Sequence, residues 1–359
     1  MYRCRACDRT YEEDAEAPWR CGCGHPLDFD RSPLPDEGPP ESADRDRGLW
    51  TFEEFLPVDR RVTLGEGWTP LVDAPEWNCE FKLEYCFPTG SFKDRGAATT
   101  LSHAVSLGVD RVVEDSSGNA GAAIATYAAR AGLDAEIYVP ADAKPAKVRP
   151  IERAGATVRR IEGGRQAVTD ACIDAVEAGK EWYASHVYQP AFFAGTATFA
   201  FEVAAQRDWH APDAVVTPLG HGTLFLGAYR GFRALVDADW IDEMPRLYGV
   251  QAAGVAPIAD ARNDQYRKDD VNALADGIQI TEPPRKTQIT DAIEESGGDA
   301  IAVDAEQTEA ALARLHRRGF YTEATCAVAP AALDVLRTRG VIDPDEDVVV
   351  PLTGSGLKG

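Results

Sequence analysis

Short apolar runs alternate with longer amphipathic stretches from Val62 to the end of the chain. Short runs bounded by turn residues are typical of buried strands, and amphipathic stretches are typical of helices that cover a sheet. The alternation therefore predicts an α/β fold with mainly parallel strands. Strands are expected at 81–85, 111–115, 135–139, 157–161, 214–218, 247–251, 300–303 and 348–352. Helices are expected at 95–107, 120–131, 166–178, 196–207, 224–236, 308–317 and 329–339.

The first 23 residues contain half of the eight cysteines, in the spacing C-x2-C-x13-C-x-C. These cysteines are Cys4, Cys7, Cys21 and Cys23. Two pairs of thiolates can meet around a tetrahedral ion, so residues 1–30 are predicted to form a small zinc-ribbon-like module with structural zinc. The spacing between Cys21 and Cys23 is one residue shorter than usual in such modules. The alternatives are therefore a module without metal, or one in which His25 replaces Cys23 as a ligand. Residues 31–61 follow as an acidic, proline-rich linker.

The charge balance restricts the partners of the protein. The chain has 59 acidic and 37 basic residues and a net charge of −22, which argues against binding to nucleic acid or to an anionic membrane surface. Acid excess with only eight lysines resembles proteins from cells that accumulate salt, and the alternative is an ordinary acidic enzyme. The sequence shows neither a run of about 18 apolar residues nor an apolar signal segment at its start, so we expect a cytoplasmic protein.

One lysine stands between a Gly-Ser turn and an apolar helix, in the segment PTGSFKDRG at 88–96. In a chain that otherwise has few lysines, Lys93 is a candidate amine nucleophile. The alternative is a solvated lysine at the start of a surface helix.

Three further segments end a predicted strand with small residues, at 114–121 (EDSSGNAG), 215–224 (VVTPLGHGTL) and 348–356 (VVVPLTGSG). The first two also open a helix, where free backbone N–H groups can bind an anion. The first is suited to the carboxylate of an amino acid and the second to a phosphate. Each of the three alone is also an ordinary helix start or glycine-rich turn.

The segment PTGSFKDRG closely resembles the lysine loop of pyridoxal-phosphate enzymes of fold type II, the tryptophan synthase β type, and within them threonine synthase. The resemblance extends to EGWTPL at 66–71 and YTEA at 321–324, and it covers about residues 62–359. It implies that Lys93 binds pyridoxal 5′-phosphate covalently. The other cofactor residues it implies are Asn119, Gly220, His221, Gly222, Thr223, Leu224 and Thr353. The substrate residues it implies are Ser116, Ser117, Gly118, Asn119, Ala120 and Ser185.

Two of these residues carry more specific expectations. Asn119 is expected to bond the 3′-oxygen of the cofactor, and Thr353 to meet the pyridine nitrogen with a hydroxyl, which favours elimination and replacement over transamination. His221 is expected to contact phosphate or to stabilise its loop, with general base as the alternative. The fold type further implies a small domain at 95–190, inserted into a large cofactor domain at 62–94 and 191–359, and a homodimer.

The resemblance favours a carbon–oxygen lyase that converts O-phosphohomoserine and water to threonine and phosphate. However, Ala184 and Ala197 replace the Asn and Lys that threonine synthases have at the substrate-phosphate site, and Phe192 falls near the position of their Arg. Lys82, Arg95 or Arg149 could supply the missing cation. The alternatives are a serine or threonine ammonia-lyase, another β- or γ-replacement synthase, and a cofactor-binding scaffold without catalysis. The stretch 277–295 departs from the threonine synthase pattern without a functional explanation.

Overall fold

The computed structural model describes residues 1–179, 181–262 and 271–358, which form three sheets and the helices around them. The strands are β1 (Tyr2–Arg3), β2 (Thr10–Tyr11), β3 (Asp28–Phe29), β4 (Leu71–Ala74), β5 (Cys79–Lys82), β6 (Arg111–Glu114), β7 (Asp134–Pro140), β8 (Thr157–Ile161), β9 (Trp182–Tyr183), β10 (Ala214–Pro218), β11 (Arg246–Ala252), β12 (Asp299–Val303) and β13 (Val348–Pro351). The helices are α1 (Lys93–Ser106), α2 (Asn119–Ala131), α3 (Pro145–Arg153), α4 (Arg165–Glu177), α5 (Pro190–Gln206), α6 (Thr223–Asp237), α7 (Ala259–Arg262), α8 (Lys286–Glu295), α9 (Ala305–Arg317) and α10 (Ala324–Thr338).

The largest sheet has six strands in the order β12-β11-β10-β13-β5-β4. Its strand pairs are parallel except at the edge, where β4 runs antiparallel to β5. A second sheet of four parallel strands, in the order β8-β7-β6-β9, is built from residues between 111 and 183. The prediction of an α/β fold with mainly parallel strands is therefore confirmed.

The predicted elements are present with shifted ends, and the structure adds others. The helix expected at 196–207 begins at Pro190, because the preceding residues are apolar on every side and are buried against α1 and α6. Helices α3 and α8 lie in stretches for which no helix was predicted. Within the described part of the chain, no helix is long and apolar enough to cross a membrane.

The first 30 residues form a small antiparallel sheet in the order β2-β1-β3. The segment that follows was predicted to be a linker, but its second half is packed. Residues 45–55 form 3-10 turns, and Leu49, Trp50, Phe52 and Phe55 are buried. The indole N–H of Trp50 donates to the Glu66 carboxylate at 2.9 Å. These aromatic residues place the segment against α5 and not in solvent.

A buried arginine joins the N-terminal sheet to the body of the protein. Arg285, immediately before α8, is 1% exposed and donates to the carboxylate of Asp28 in β3 at 2.7 Å. It also donates to the carbonyl oxygens of Leu27, Val187 and Tyr188 at 2.9, 2.9 and 3.1 Å. Burial alone would raise the pKa of Asp28, but the guanidinium groups of Arg230 and Arg285 lower it to about 2. The stretch 277–295 thus contributes the residue that fixes the N-terminal sheet against residues 187 and 188.

Four charged side chains meet beneath the start of α1 and have no exposed surface. Arg95 bonds both Glu84, at 2.8 Å, and Glu202 of α5, at 2.6 and 2.8 Å. Lys82 at the end of β5 bonds Glu202 at 2.8 Å and the carbonyl oxygen of Thr69 at 2.6 Å. Buried charges of this kind are tolerated only when every partner is present. We call Lys82, Glu84, Arg95 and Glu202 the ionic cluster.

We predict that Glu202→Ala lowers the free energy of unfolding by about 3–5 kcal/mol, because it leaves Arg95 and Lys82 buried without their shared acceptor. Urea denaturation followed by circular dichroism measures this change. The control is Glu177→Ala, which removes an exposed pair with Arg20 and should change the free energy by less than about 0.5 kcal/mol. A loss below about 1 kcal/mol for Glu202→Ala would contradict a structural role of the cluster.

Candidate active site

The amine of Lys93 lies at the start of α1, which connects β5 of the six-stranded sheet to β6 of the four-stranded sheet, and we call the group of residues around it the cleft. Its Nζ donates to the hydroxyl of Thr223 at 2.9 Å and lies 5.7 Å from the centre of the Phe192 ring. Burial lowers the pKa of Lys93 to about 7, although the carboxylates of Glu114 and Glu323 act in the opposite direction. A large fraction of this amine is therefore uncharged near neutral pH and can act as a nucleophile or base.

The loop between β10 and α6 forms a nest for an anion next to Lys93. The backbone N–H groups of Gly220, His221 and Gly222 donate to no protein group within the described residues. Gly222 has φ +80°, a conformation that favours glycine, and directly precedes α6. Thr223 and Leu224 open the helix, so their N–H groups lie at its positive end. The five residues assigned to the cofactor phosphate are consecutive in this turn, and the hydroxyl of Thr223 places the turn beside the amine.

A second set of free N–H groups lies where β6 leads into α2. Those of Ser117, Asn119 and Ala120 have no protein acceptor within the described residues, whereas the N–H of Gly118 bonds the Ser116 hydroxyl at 3.2 Å. The turn is tight, since a Cβ at Gly121 would come within 1.8 Å of the carbonyl oxygen of Ser116. The five residues 116–120 form a cradle suited to a carboxylate.

The side chain of Asn119 lies between two charged groups that the sequence analysis did not assign to the site. Its amide donates to the carboxylate of Glu323 at 3.1 and 3.2 Å, and its oxygen accepts from the ammonium of Lys358 at 2.9 Å. Thr353 is buried next to them, with its hydroxyl 3.3 Å from the sulfur of Cys326. The backbone N–H of Phe92 donates to the Thr353 carbonyl at 3.1 Å, which ties the C-terminal strand to the lysine loop.

The segment after β9 contributes His186 to the cleft, whereas the hydroxyl of Ser185 bonds the backbone of the same segment. The hydroxyl of Ser185 accepts the N–H groups of Val187 and Tyr188, each at 3.3 Å, and Ser185 is 1% exposed. The next residue, His186, faces His221 with 5.3 Å between ring centres. Its Nδ1 lies 2.5 Å from the carboxylate of Glu114, at the end of β6.

Phe192 forms an apolar wall at the position where the resemblance led us to look for arginine. The ring is fully buried and packs on Gly96, where a Cβ would come within 2.2 Å of a ring atom. The absence of a side chain at residue 96 therefore makes room for the ring.

Two of the three cations that we expected to replace this arginine are not available. Lys82 and Arg95 are fully buried in the ionic cluster, so this expectation was wrong, because both side chains stabilise the interior. Arg149 lies on the exposed surface of α3. The exposed Arg165, at the start of α4, is close enough for its charge to lower the pKa of both His186 and His221, after the larger effect of burial.

Four residues of the cleft were missed from the sequence as site residues: Glu114, His186, Glu323 and Lys358. Glu114 carried a usable signal, because it is an acid at the end of an apolar strand, directly before a loop of small residues. The pairing of Glu114 with His186 depends on the register of β6 and β9, which aligns Val113 with Tyr183. That register has no signature in the sequence.

The cleft fits pyridoxal phosphate by the chemistry of its donors. It presents one amine with a lowered pKa beside a nest of free N–H groups. Two buried polar atoms near the nest have no protein partner, namely Nδ1 of His221 and Oγ1 of Thr217. Unpaired buried polar groups are costly, and a bound phosphate would satisfy the N–H groups of the nest that have no protein acceptor.

The four N-terminal cysteines converge as the spacing predicted. Their sulfur atoms all lie within 4.8 Å of one another, with Cys4 and Cys21 buried and Cys7 and Cys23 exposed. The Nδ1 atom of His25 lies 3.5 Å from the sulfur of Cys23.

The fold and the cleft define a pyridoxal-phosphate enzyme, and comparison with known proteins gives the same class. The family model of the pyridoxal-phosphate dependent enzymes matches residues 62–354, and the chain belongs to this family. The threonine synthase of Methanocaldococcus jannaschii is 33% identical to this chain, over 100% of this chain and 93% of its own length. The threonine synthase of Methanosarcina acetivorans is 33% identical over 86% of this chain and 80% of its own length. Within the pyridoxal-phosphate enzymes, the chain belongs to the threonine synthase family.

Solved structures share the fold at lower sequence identity. The processed form of threonine deaminase isoform 2 from Solanum lycopersicum has a TM-score of 0.69 and 22% identity, covering 90% of this chain and 95% of that one. Maize serine racemase has a TM-score of 0.68 and 19% identity, covering 80% and 88%. These values indicate a common α/β fold of fold type II.

We predict that Lys93 is the residue that pyridoxal phosphate modifies. The purified protein should absorb visible light, and borohydride should fix the cofactor to Lys93, as mass spectrometry of the peptides will show. Lys93→Ala should abolish the fixed adduct, whereas Lys286→Ala, at the start of α8, should leave it unchanged. An adduct that persists in Lys93→Ala would contradict the assignment.

Proposed function

We propose that the protein converts O-phosphohomoserine and water to threonine and phosphate. The observation that carries the proposal is the 33% identity to a threonine synthase over the whole chain, together with an amine of lowered pKa between two anion cradles. One cradle suits the carboxylate of an amino acid, and the other suits the phosphate of the cofactor.

The side chains of the cleft have separable tasks in this reaction. Bound pyridoxal phosphate supplies an electron sink that allows the hydrogen at Cα to leave as a proton. Lys93 accepts that proton, because burial keeps much of the amine uncharged near neutral pH. The free N–H groups at 117, 119 and 120 bind the substrate carboxylate, and those at 220–222 bind the cofactor phosphate. Thr353 offers a hydroxyl to the pyridine nitrogen, which limits the build-up of negative charge at Cα.

The division into domains follows from where the sheets lie. We infer that residues 95–190 form a small domain inserted in the large domain of residues 62–94 and 191–359. Its four-stranded sheet moves against the large domain, while the ionic cluster keeps Arg95 fixed to Glu84 and Glu202. The four-stranded sheet supports this division, because all its strands lie between 111 and 183. Closure of the small domain brings the carboxylate cradle towards Lys93 and excludes water from the cleft.

A serine or threonine ammonia-lyase is the second candidate. The apolar Phe192 favours it, because an aromatic ring gives a dianionic phosphate no charge-assisted hydrogen bond. The relatives favour threonine synthase, and the cleft compensates with His186, His221 and the nearby Arg165.

One assay separates the two candidates. We expect the holoenzyme to release inorganic phosphate from O-phosphohomoserine and to form threonine in equal amount, with keto acid from serine or threonine at least about 100-fold slower. Lys93→Ala should lose both activities. Formation of keto acid without release of phosphate would reject the proposed function in favour of the lyase.

We further propose that Cys4, Cys7, Cys21 and Cys23 hold a structural zinc ion. Four thiol sulfurs within 4.8 Å of one another suit tetrahedral coordination. The backbone N–H of His25 and the thiol of Cys21 lower the pKa of Cys23 to about 6, whereas burial raises the pKa of Cys4 to about 12. Zinc binds deprotonated sulfur, so binding would release a proton from Cys4.

We expect about one zinc per chain by elemental analysis, and loss of that zinc in Cys4→Ala. The control is Cys86→Ala, which removes an exposed cysteine outside the cluster and should keep the metal. Removal of zinc should lower the melting temperature, because the N-terminal sheet is too small to be stable by its own core. A wild-type protein that purifies without metal and does not take up added zinc would reject the proposal.

A further inference from the structure

A glutamic acid and a histidine form a buried pair at the edge of the cleft. Glu114 has no exposed surface, and His186 is 8% exposed. The ring Nδ1 of His186 lies 2.5 Å from Oε1 of Glu114, and the backbone N–H of His186 donates to Oε2 at 3.3 Å. Two contacts from one residue to one carboxyl group fix the orientation of the imidazole ring.

The surroundings of the pair favour an uncharged state. Burial, with a smaller effect of Asp115, raises the pKa of Glu114 well above its usual value. Burial, with smaller effects of Lys93 and His221, lowers the pKa of His186 well below its usual value. A protonated carboxyl group then donates to Nδ1, which places the ring proton on Nε2. The pair thus presents a fixed N–H donor.

This donor is directed at the reaction site and not at other protein groups. Within the described residues Nε2 of His186 has no hydrogen-bond partner, and it is not among the fully enclosed unpaired atoms, so it keeps some accessible surface. The ring stands 5.3 Å from that of His221, whose buried Nδ1 also has no partner, and 6.1 Å from that of Phe192. The two rings are in edge-to-face contact, and their unpaired nitrogens form one polar surface that the oxygen atoms of a substrate phosphate can bond.

The proposed reaction requires a proton donor at such a place. When the bond between Cγ and oxygen breaks, its electron pair stays on the phosphate oxygen. A dianionic phosphate ester would then leave as a trianion, which is a strong base and a poor leaving group. Transfer of a proton to the departing oxygen removes this barrier, and a positioned acid accelerates such steps by about 100- to 10,000-fold.

We propose that His186 is a catalytic residue that passes its Nε2 proton to the departing phosphate oxygen, with Glu114 as its positioning residue. The proposal rests on the proposed function. As the O–H bond forms on phosphate, the carboxyl group of Glu114 passes its proton to Nδ1, so the ring stays neutral and Glu114 becomes a carboxylate. The water that adds at Cβ releases one proton, which restores the pair. The balance is that of the overall reaction, in which substrate and water give threonine and phosphate.

The test separates the departure of phosphate from the earlier loss of the Cα proton, which belongs to Lys93. In His186→Gln the amide still donates a hydrogen bond but cannot transfer a proton. We expect release of phosphate from O-phosphohomoserine to fall about 100-fold. The Cα hydrogen of the substrate should still exchange with solvent deuterium, as measured by NMR. The rate of this exchange should be at least about one third of the wild-type rate of turnover.

Glu114→Gln is the second variant, because it is isosteric and keeps a donor towards Nδ1. It should give the same split, with slower release of phosphate and unchanged exchange at Cα. The control is His210→Gln, an exposed histidine, which should change neither rate. Absorbance of the bound cofactor and the melting temperature should match the wild type in each variant used.

The outcomes are distinct. Equal losses of phosphate release and of Cα exchange would overturn the proposal, since they would show a structural role or an earlier step. Unchanged release of phosphate in His186→Gln would overturn it as well. A wild-type enzyme that releases no phosphate from O-phosphohomoserine would instead reject the proposed function, and this inference with it.

Discussion

The position of the reactive lysine depends on an ionic cluster that is closed to water. Lys82 and Glu84 precede the lysine loop, and Arg95 follows Lys93 by two residues, so the cluster holds both ends of the loop. Glu202 of α5 joins the two ends. Burial of four charges costs free energy that their mutual contacts only roughly offset. The gain is geometric, because the loop cannot shift without separating opposite charges in a medium of low dielectric constant.

The ionic cluster is one of the features that could not be predicted from the sequence, whereas much of the fold could. Apolar periodicity identified eight of the thirteen strands in the described residues and most of the helices, because each depends on burying one face. The segments around Lys93, Asn119 and His221 were recognisable because tight turns restrict the residues that fit them. The role of Lys82 and Arg95 could not be predicted, because the sequence does not distinguish a cation that faces a substrate from one that faces a buried carboxylate. The pairing of Glu114 with His186 likewise depends on strand register.

The N-terminal sheet is bonded to the segment that follows His186. Arg285 bonds Asp28 and Leu27 on one side and the carbonyl oxygens of Val187 and Tyr188 on the other. The residues next to His186 are therefore held by a side chain that also holds β3. A change in the structure of the cysteine cluster that moves β3 would therefore move Val187 and Tyr188 through these bonds.

The contact between Gly96 and Phe192 has a consequence for how such a site can change over time. The ring occupies the volume that any side chain at residue 96 would need. A substitution at residue 96 is therefore excluded while the ring is present, whereas exchange of the ring for a slimmer side chain would make it acceptable. The two positions are epistatic, and the order in which they mutate is constrained. A phenyl ring can occupy position 192 only while residue 96 has no side chain.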